Sequence, residues 1–255
     1  MSAKKVIVFD LDGVLMDTGR LFGDALTKFV GRIYEMFDGR FSKEEITLAQ
    51  HRIDMGMLYE IDPETGHPYY YRKSRFPLSF VRTYKYFCEM AGVKKSKAIA
   101  SELKLIGREV YSKARYKDLV FPEVLPLFQL LKKNDFLVFI LTKGDVKVQG
   151  AKDHVLKEMG ISGFYKKFVI VPDDKSEAIA KIKAEHPADE YYCVGDTYKE
   201  DVLVGMKVGY FGFYKPYPLN WKEVGKFDLI ESERDKKNSV RIGTVADIGE
   251  YLRLK

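Results

Sequence analysis

Two aspartates, Asp10 and Asp12, stand one residue apart and are followed directly by Gly13. They come at the end of the apolar run Val6–Phe9, whose β-branched and aromatic residues predict a short buried strand. Two carboxylates this close repel each other and both lose water on burial, so their assembly requires a neutralising cation. A divalent metal ion that prefers oxygen ligands fits the pair. An isolated Asp-x-Asp-Gly is more often a simple turn after a strand, so the metal site depends on matching residues elsewhere.

Three later residues match this arrangement. Thr142 directly follows the apolar run 136–141, and Asp196 follows the run 191–194 after a single glycine. Lys175 stands at the start of a predicted helix, just past another apolar run. Each signal is weak alone, because a threonine after a strand is usually a cap and a lysine usually lies on the surface. Their shared position counts for more, since ligand sites of parallel α/β sheets lie beyond the carboxyl ends of the strands.

From Pro122 to the end of the sequence, short apolar runs alternate with segments of helical period. This alternation predicts an α/β fold whose mostly parallel sheet is covered by helices on both faces. Besides the first run, the predicted strands are 136–141, 168–171, 191–194, 209–214 and 227–230. The predicted helices of this part are 124–133, one ending near 159, one starting near 175, 199–207 and 244–254.

Residues from about 18 to 116 show a helical period and no convincing strand, so they predict an all-helical block. Ser42 opens one of its helices with a capping-box sequence, and Pro77 fits the first turn of another. The loop segment Tyr69–Phe76 carries large aromatic and basic side chains. This segment either closes over a site and contacts a substrate or packs the block onto the α/β part, and we slightly favour packing.

The composition, 46% hydrophobic and 31% charged residues over 255 positions, is typical of a globular chain with a substantial core. Cys88 and Cys193 lie far apart and form no metal-binding pattern, which favours buried thiols in a reducing cytoplasm. No apolar run is long enough for a signal peptide or a membrane span, so we expect neither. The net charge of +6 is spread along the chain, which makes nucleic-acid binding the weaker interpretation.

Taken in order, these motifs resemble the haloacid dehalogenase superfamily, in its phosphatase branch. The first motif of that family, Asp-x-Asp-Gly-Thr/Val followed by an apolar residue, matches residues 10–15. The second, an apolar strand ending in Thr or Ser, matches 139–142, and the fourth, Gly-Asp-x-x-x-x-Asp, matches 195–201. The third, a lysine that opens a helix about twenty residues before the fourth motif, fits Lys175. Three other lysines lie nearby, and the cap sequence around Lys175 favours it.

The resemblance implies a Rossmann-like, doubly wound core with an inserted helical cap. The core comprises residues 1–17 and 117–255, and the cap comprises residues 18–116 between the first and second motifs. The space between Thr142 and Lys175 fits a helix and a strand, so a second cap is not expected.

The resemblance also implies roles for the two aspartates of the first motif. Asp10 attacks phosphorus and forms an aspartyl-phosphate, while Asp12 protonates the leaving alcohol and then takes a proton from the hydrolytic water. Magnesium is held by the side chains of Asp10 and Asp196 and by the main-chain carbonyl of Asp12. Because the dehalogenase branch needs no acid at this position, Asp12 favours phosphate esters over haloacids.

The remaining motifs supply phosphate-binding groups. Thr142 binds a phosphoryl oxygen with help from the amide of Lys143 near a helix start, and Lys175 neutralises the phosphate and Asp10. The side chain of Lys143 is either a substrate contact or an exposed lysine at that helix start. Asp201 either orients Lys175 or a metal-bound water, which we favour, or caps the helix that begins nearby.

The sequence therefore predicts a cytoplasmic, magnesium-dependent phosphomonoester hydrolase acting on a small phosphorylated metabolite. The nearest alternative is a phosphomutase for a sugar phosphate, which uses the same residues and differs in excluding water. A non-catalytic binding or regulatory module is disfavoured by the intact aspartates and lysine. We expect a small-molecule phosphate ester as the partner and no membrane, and the sequence does not indicate an oligomeric state.

Overall fold

The first strand, β1 (Lys5–Phe9), lies inside a six-stranded parallel sheet. The computed structural model describes residues 4–218 and 226–255. The chain divides into two compact units, one made of residues 1–19 and 113–255 and the other of residues 20–112. The sheet belongs to the first unit.

The first unit alternates strands and helices as the sequence predicts. Its further strands are β4 (Phe136–Lys143), β5 (Lys167–Val171), β6 (Glu190–Gly195), β7 (Phe211–Tyr214) and β8 (Ser239–Arg241). Their order in the sheet is β5-β4-β1-β6-β7-β8. Its helices are α5 (Val124–Lys133), α6 (Val146–Glu158), α7 (Ser176–Glu185), α8 (Leu203–Lys207), α9 (Phe227–Glu233) and α10 (Asp247–Tyr251). Short 3₁₀ turns occur at Lys113–Arg115, Lys117–Leu119 and Ile161–Phe164, and a π-helical turn at Tyr198–Val202 leads into α8.

Strand β1 is buried on both faces, which explains why its sequence is continuously apolar instead of alternating. On one face, Val6 and Val8 pack in a core cluster with Ile179 and Ile182 of α7. On the other face, the ring of Phe9 lies 5.2 Å from that of Phe128 in α5. Helices therefore cover both sides of the sheet, and the predicted doubly wound α/β fold is confirmed.

The second unit contains helices and one small hairpin. The helices are α1 (Thr18–Met36), which starts in the first unit, α2 (Lys43–Gly56), α3 (Arg75–Ala91) and α4 (Lys97–Arg108), and a 3₁₀ turn follows at Glu109–Tyr111. The predicted capping box at Ser42 is confirmed, since its hydroxyl accepts from the amide of Glu45 and the Glu45 carboxylate accepts in return. Pro77 lies in the first turn of α3, as the sequence predicts. The core of this unit includes the stacked rings of Phe29 and Phe80.

The prediction of an all-helical block is wrong in one respect, because β2 (Ile61–Asp62) and β3 (His67–Pro68) form a two-residue antiparallel ladder. Such a short pairing contains too few residues to show a period of two. Beyond it, the Tyr69–Phe76 segment packs partly within its own unit. The ring of Phe76 lies 4.7 Å from that of Phe80, and Tyr69 is buried.

The unit boundaries differ slightly from the predicted domain limits. The change into the second unit falls at 19/20 instead of 17/18, and the return falls at 112/113 instead of 116/117. The first boundary lies inside α1, where no break in the helical period marks it. Near the second, Tyr116 is buried in the first unit, with Lys152 of α6 5.8 Å from its ring centre.

The end of the chain contains the clearest error of the sequence-based prediction. The predicted strand 227–230 is a helix, α9, in which Ile230 is buried and Leu229 exposed. A short apolar run does not distinguish a strand from a helix that buries one face. The strand that completes the sheet is β8, which contains a single apolar residue between Ser239 and Arg241 and therefore gives no sequence signal. The last helix is also shorter than the predicted 244–254.

Both cysteines are buried and unpaired. Within residues 4–218 and 226–255, no helix combines the length and the apolar character that crossing a membrane requires.

Candidate active site

The sheet register brings the predicted site residues to one edge. Phe9 of β1 pairs with Ile140 of β4 on one side and with Val194 of β6 on the other. Asp10 follows directly, and its amide donates to the carbonyl of Val194 at 2.9 Å. Thr142 and Asp196 each lie two residues beyond these paired positions. The residues that end the three central strands therefore meet at the carboxyl edge of the sheet.

Three buried carboxylates cluster at this edge around one ammonium group. Oxygen atoms of Asp10, Asp196 and Asp201 all lie within 4.8 Å of one another. The Nζ atom of Lys175 lies 2.7 Å from Asp10 Oδ1 and 2.6 Å from Asp201 Oδ1. With one lysine against three carboxylates, the ionised cluster carries an excess of two negative charges.

The charge excess appears in the pKa values of the cluster. Burial raises the pKa of Asp10 to about 6, although Lys175 opposes the shift. Burial and the nearby charges of Asp10 and Asp201 raise the pKa of Asp196 well above its ordinary value. Burial alone would lower the pKa of Lys175, but its two carboxylate partners outweigh that effect and raise it. Lys175 therefore stays charged, while the raised pKa values of Asp10 and Asp196 show that their negative charges are costly in this buried cluster.

This donor set fits a magnesium ion. Asp10 and Asp196 offer carboxylate oxygens, the ligand type that magnesium prefers, and a divalent cation would balance the two surplus charges. Asp201 is less suited to bind a metal, because Oδ1 accepts from Lys175 and Oδ2 accepts from the amide of Thr197 at 3.1 Å. Asp201 thus contacts both Lys175 and a main-chain amide at the start of the π-helical turn, so its geometry is compatible with either of the roles that the sequence left open.

Two glycines permit the close packing of these carboxylates. Gly13 has a φ of +78°, and a Cβ atom there would lie 2.5 Å from Asp196 Oδ2. At Gly195, a Cβ atom would lie 2.1 Å from the Cβ atom of Asp201. Any side chain at either position would push a carboxylate out of the cluster, so the glycines of the first and fourth motifs have a steric function.

Thr142 and Lys143 end β4 next to the cluster. Thr142 is buried, and its only described hydrogen-bonding contact is the Lys143 carbonyl, at the limiting distance of 3.5 Å. The Lys143 ammonium pairs with Glu200 of the π-helical turn. Lys143 is the last residue of β4 and lies three residues before α6, so its amide is near a helix start, as the sequence predicts, while the residue itself belongs to the strand. Helix α6 starts at Val146, and Asp145 caps its first turn by accepting from the amides of Lys147 and Val148.

Asp12 has a separate set of partners. Lys152 Nζ lies 2.6 Å from Asp12 Oδ1, Gln149 Nε2 lies 2.9 Å from Oδ2, and the Thr18 hydroxyl also donates to the carboxylate. Burial alone would raise the pKa of Asp12, but Lys152 and these hydrogen bonds lower it below its ordinary value. One third of the side chain remains exposed, so a ligand can reach it.

Sequence reasoning missed Gln149 and Lys152, although a signal was present. Both are buried on α6, on the face that also buries Val155 and Leu156. Polar residues at positions 149 and 152 of an otherwise apolar helix face indicate a buried polar contact.

Lys215 is the other residue that sequence reasoning missed. It is buried, donates to the carbonyl of Gly13 at 2.8 Å and lies 4.3 Å from the ring centre of Phe121. Burial lowers the pKa of Lys215. This hydrogen bond fixes the main chain at Gly13, directly after Asp12. The sequence gives no signal for the contact, because it shows only a lysine after an apolar strand.

Comparison with known proteins places these motifs in a family context. The model of the haloacid dehalogenase-like hydrolase family matches residues 4–209. The fold is similar to that of a haloacid dehalogenase-like family hydrolase from Xanthomonas campestris, at a TM-score of 0.68 and 17% identity, covering 98% of this chain and 91% of that one.

Two further solved structures have different activities in their names. An HAD phosphatase from Thermococcus onnurineus has a TM-score of 0.54 and 16% identity, covering 99% of this chain and 98% of that one. A 2-haloacid dehalogenase from Pseudomonas syringae pv. tomato has a TM-score of 0.52 and 19% identity, covering 99% of each chain. At these identities the similarity shows the fold alone. No curated protein sequence matches the chain significantly.

Proposed function

Because the chain belongs to the haloacid dehalogenase-like hydrolases, we propose that it is a magnesium-dependent phosphomonoester hydrolase that works through an aspartyl-phosphate on Asp10. The observation that carries this proposal is the placement of Asp12. Its carboxylate lies two residues after the nucleophile, is partly exposed and is held by donors of its own. Cleavage of a phosphate ester requires a group that protonates the leaving oxygen, and Asp12 is positioned to provide it.

The buried cluster supports the first step. A carboxylate oxygen of Asp10 bonds to phosphorus while the bond from phosphorus to the leaving oxygen breaks, and that oxygen takes the proton of the Asp12 carboxyl group. Lys175 holds Asp10 in place and neutralises charge, and the Thr142 hydroxyl at the end of β4 donates to a phosphoryl oxygen. Magnesium, when bound, neutralises the phosphoryl oxygens, and Asp10, Asp196 and the main-chain carbonyl of Asp12 are the groups that would hold it.

The same residues complete the cycle. Water attacks the phosphorus of the aspartyl-phosphate, the bond to the Asp10 oxygen breaks, and Asp12 takes the proton of the water. The contacts from Lys152 and Gln149 favour the ionised carboxylate that this second step needs. The proton gained there is the one that Asp12 donates to the next leaving group, so the two steps balance.

A small, soluble metabolite phosphate is the proposed substrate class, in the cytoplasm and without a membrane or nucleic-acid partner. Two unpaired, buried cysteines and a dispersed positive charge support this setting.

Phosphate release from a panel of phosphate esters, with and without magnesium, tests the proposal. The control is Asp10→Asn, which keeps the shape of the nucleophile and removes its charge. We expect magnesium-dependent turnover by the natural protein and none by the variant. Equal inactivity of both proteins on every ester would contradict the proposal.

Two other outcomes would identify a different reaction. Conversion of a hexose phosphate into its isomer, without release of phosphate, would indicate a phosphomutase. Halide release from a 2-haloacid, again dependent on Asp10, would indicate a dehalogenase, the activity named for one of the similar structures.

A further inference from the structure

The carboxylate of Asp12 is fixed by two side chains of the same helix. Lys152 contacts Oδ1 at 2.6 Å and Gln149 contacts Oδ2 at 2.9 Å, and both residues belong to α6. Because each carboxylate oxygen has its own donor, the contacts resist rotation of the carboxylate plane. Both donors are buried, so solvent does not compete for them.

Burying these two side chains lowers the stability of the fold. A buried ammonium and a buried amide lose their hydration, and an apolar pair of similar size would fit the face that α6 packs with Val155 and Leu156 at lower cost. Room for the amide also depends on Gly144, whose φ is +138° and where a Cβ atom would lie 2.9 Å from Gln149 Nε2. A contact that costs this much in stability indicates a role other than packing.

Gln149 also ties Asp12 to the strand that carries the predicted phosphate ligand. Its Nε2 atom donates to Asp12 Oδ2 and, at 2.7 Å, to the carbonyl of Lys143. Lys143 is the neighbour of Thr142 at the end of β4. One amide group therefore sets the position of Asp12 relative to the end of that strand.

We propose that Lys152 and Gln149 are positioning residues that aim the Asp12 carboxyl group at the leaving oxygen of the substrate. This inference rests on the proposed phosphomonoester hydrolysis, because it assigns both residues to the proton transfer of that reaction. Neither residue exchanges the proton itself. They act through Asp12, which separates their role from that of a phosphate or metal ligand.

The choice of leaving group distinguishes this role from a purely structural one. An alkyl phosphate releases a basic alkoxide and needs the proton from Asp12, whereas p-nitrophenyl phosphate releases a stable phenolate and needs it far less. The ratio kcat/KM depends only on the steps up to and including departure of the leaving group. The later hydrolysis of the aspartyl-phosphate therefore does not affect it. A misdirected Asp12 therefore lowers kcat/KM for one ester and spares the other.

The test measures kcat/KM for both esters at saturating magnesium with Lys152→Met, which removes the ammonium and keeps the chain length. A correctly placed general acid contributes roughly 10²–10⁴ in rate, so we expect a loss of about 10- to 100-fold for the alkyl ester and under about 3-fold for the nitrophenyl ester. Lys152→Arg keeps a donor for Asp12 and should recover part of the alkyl activity. The matched control is Lys157→Met on the exposed side of the same helix, which should change neither value.

A second variant covers the case in which Lys152→Met does not fold. Gln149→Leu removes the other donor without burying a new charge, and we expect the same selective loss at about 3- to 10-fold. Equal losses on the two esters, or no loss in a folded variant, would overturn the inference. If the natural protein releases phosphate from neither ester, the proposed function itself fails. That result differs from equal losses and from no loss in a variant, which overturn only the positioning role.

Discussion

The surplus of negative charge in the buried cluster predicts an unusual response to Asp196→Asn. The amide has the shape of the carboxylate, and its oxygen can still accept from the Thr197 hydroxyl, which lies 3.2 Å from Asp196 Oδ1. Most substitutions of a buried hydrogen-bonded residue destabilise a protein. Here we expect the metal-free variant to be more stable than the natural protein, because the substitution removes one negative charge from a cluster in which three buried carboxylates surround Lys175.

The size of the effect follows from the geometry. Asp196 lies within 4.8 Å of carboxylate oxygens of both Asp10 and Asp201. At an effective dielectric constant of about 20, each pair of charges at that distance repels by about 3.5 kcal/mol. Protonation relieves much of this repulsion, since one pKa unit corresponds to about 1.4 kcal/mol. We therefore expect a net gain of about 1–3 kcal/mol in the free energy of unfolding at pH 8, or roughly 2–10 °C in Tm.

The raised pKa of Asp196 also determines how the stability gained by Asp196→Asn changes with pH. The pKa of Asp196 is raised in the folded state, so the unfolded chain loses this proton first and the stability of the natural protein falls as the pH rises from the ordinary pKa of 3.8 towards the raised value. The stability gained by Asp196→Asn should thus be largest at alkaline pH and shrink as the pH falls towards the ordinary pKa of an aspartate, 3.8. Asp173→Asn, at a half-buried aspartate outside the cluster, is the control for removing one carboxylate from the protein.

Thermal and urea unfolding with and without magnesium measure both parts of the prediction. A magnesium concentration of 100 times Kd should stabilise the natural protein by about 2.7 kcal/mol, and the variant should lose most of that increase. A metal-free variant that is less stable than the natural protein at pH 8 would refute the account of the cluster as overcharged. A natural protein whose Tm does not respond to magnesium would refute its assignment as a metal site.

Three further predictions concern stability away from the site. Gly205→Ala places a Cβ atom 2.5 Å from the sulfur of Cys193 and should cost about 1–3 kcal/mol by urea unfolding, so an unchanged midpoint would contradict the packing of α8 on β6. Ser42→Ala removes the N-cap of α2 and should lower the free energy of unfolding by about 0.5–2 kcal/mol. An unchanged free energy of unfolding would contradict a stabilising role of this cap. Arg75→Met leaves the buried carboxylate of Asp54 unpaired and should cost about 3–5 kcal/mol, while adding Asp54→Asn should restore much of the loss; no recovery in the double variant would disprove the coupling.

The site could be predicted from the sequence because its main residues end strands. Asp10, Thr142 and Asp196 each follow a continuous apolar run, and such a run in a parallel sheet fixes both the direction of the chain and the edge at which it ends. The partners of Asp12 could not be predicted in this way. Gln149 and Lys152 lie on a helix, and which residue a helix face meets depends on the packing of α6 against the loop after β1. No spacing in the sequence encodes that packing.

The fold shows the same division between local and non-local information. The capping box of Ser42 depends on four consecutive residues and was predicted correctly. Strand β8 pairs with the edge of β7, and Val240 is its single apolar residue, so its formation depends on a neighbour that is distant in sequence. The sequence of α9 resembles a strand more than that of β8 does. Local hydrophobicity does not indicate which segment pairs with the edge of a sheet.

The central place of β1 in the sheet has a consequence for biosynthesis. Strand β1 is made first, but its two neighbours, β4 and β6, are synthesised about 130 and 185 residues later. At about 5–20 residues per second, the nascent chain carries Asp10 for roughly 10–40 s before the second neighbour of β1 exists. The helical block 20–112 is synthesised before either neighbour of β1, so the sheet edge that carries Asp10, Thr142 and Asp196 cannot assemble until β6 has been made.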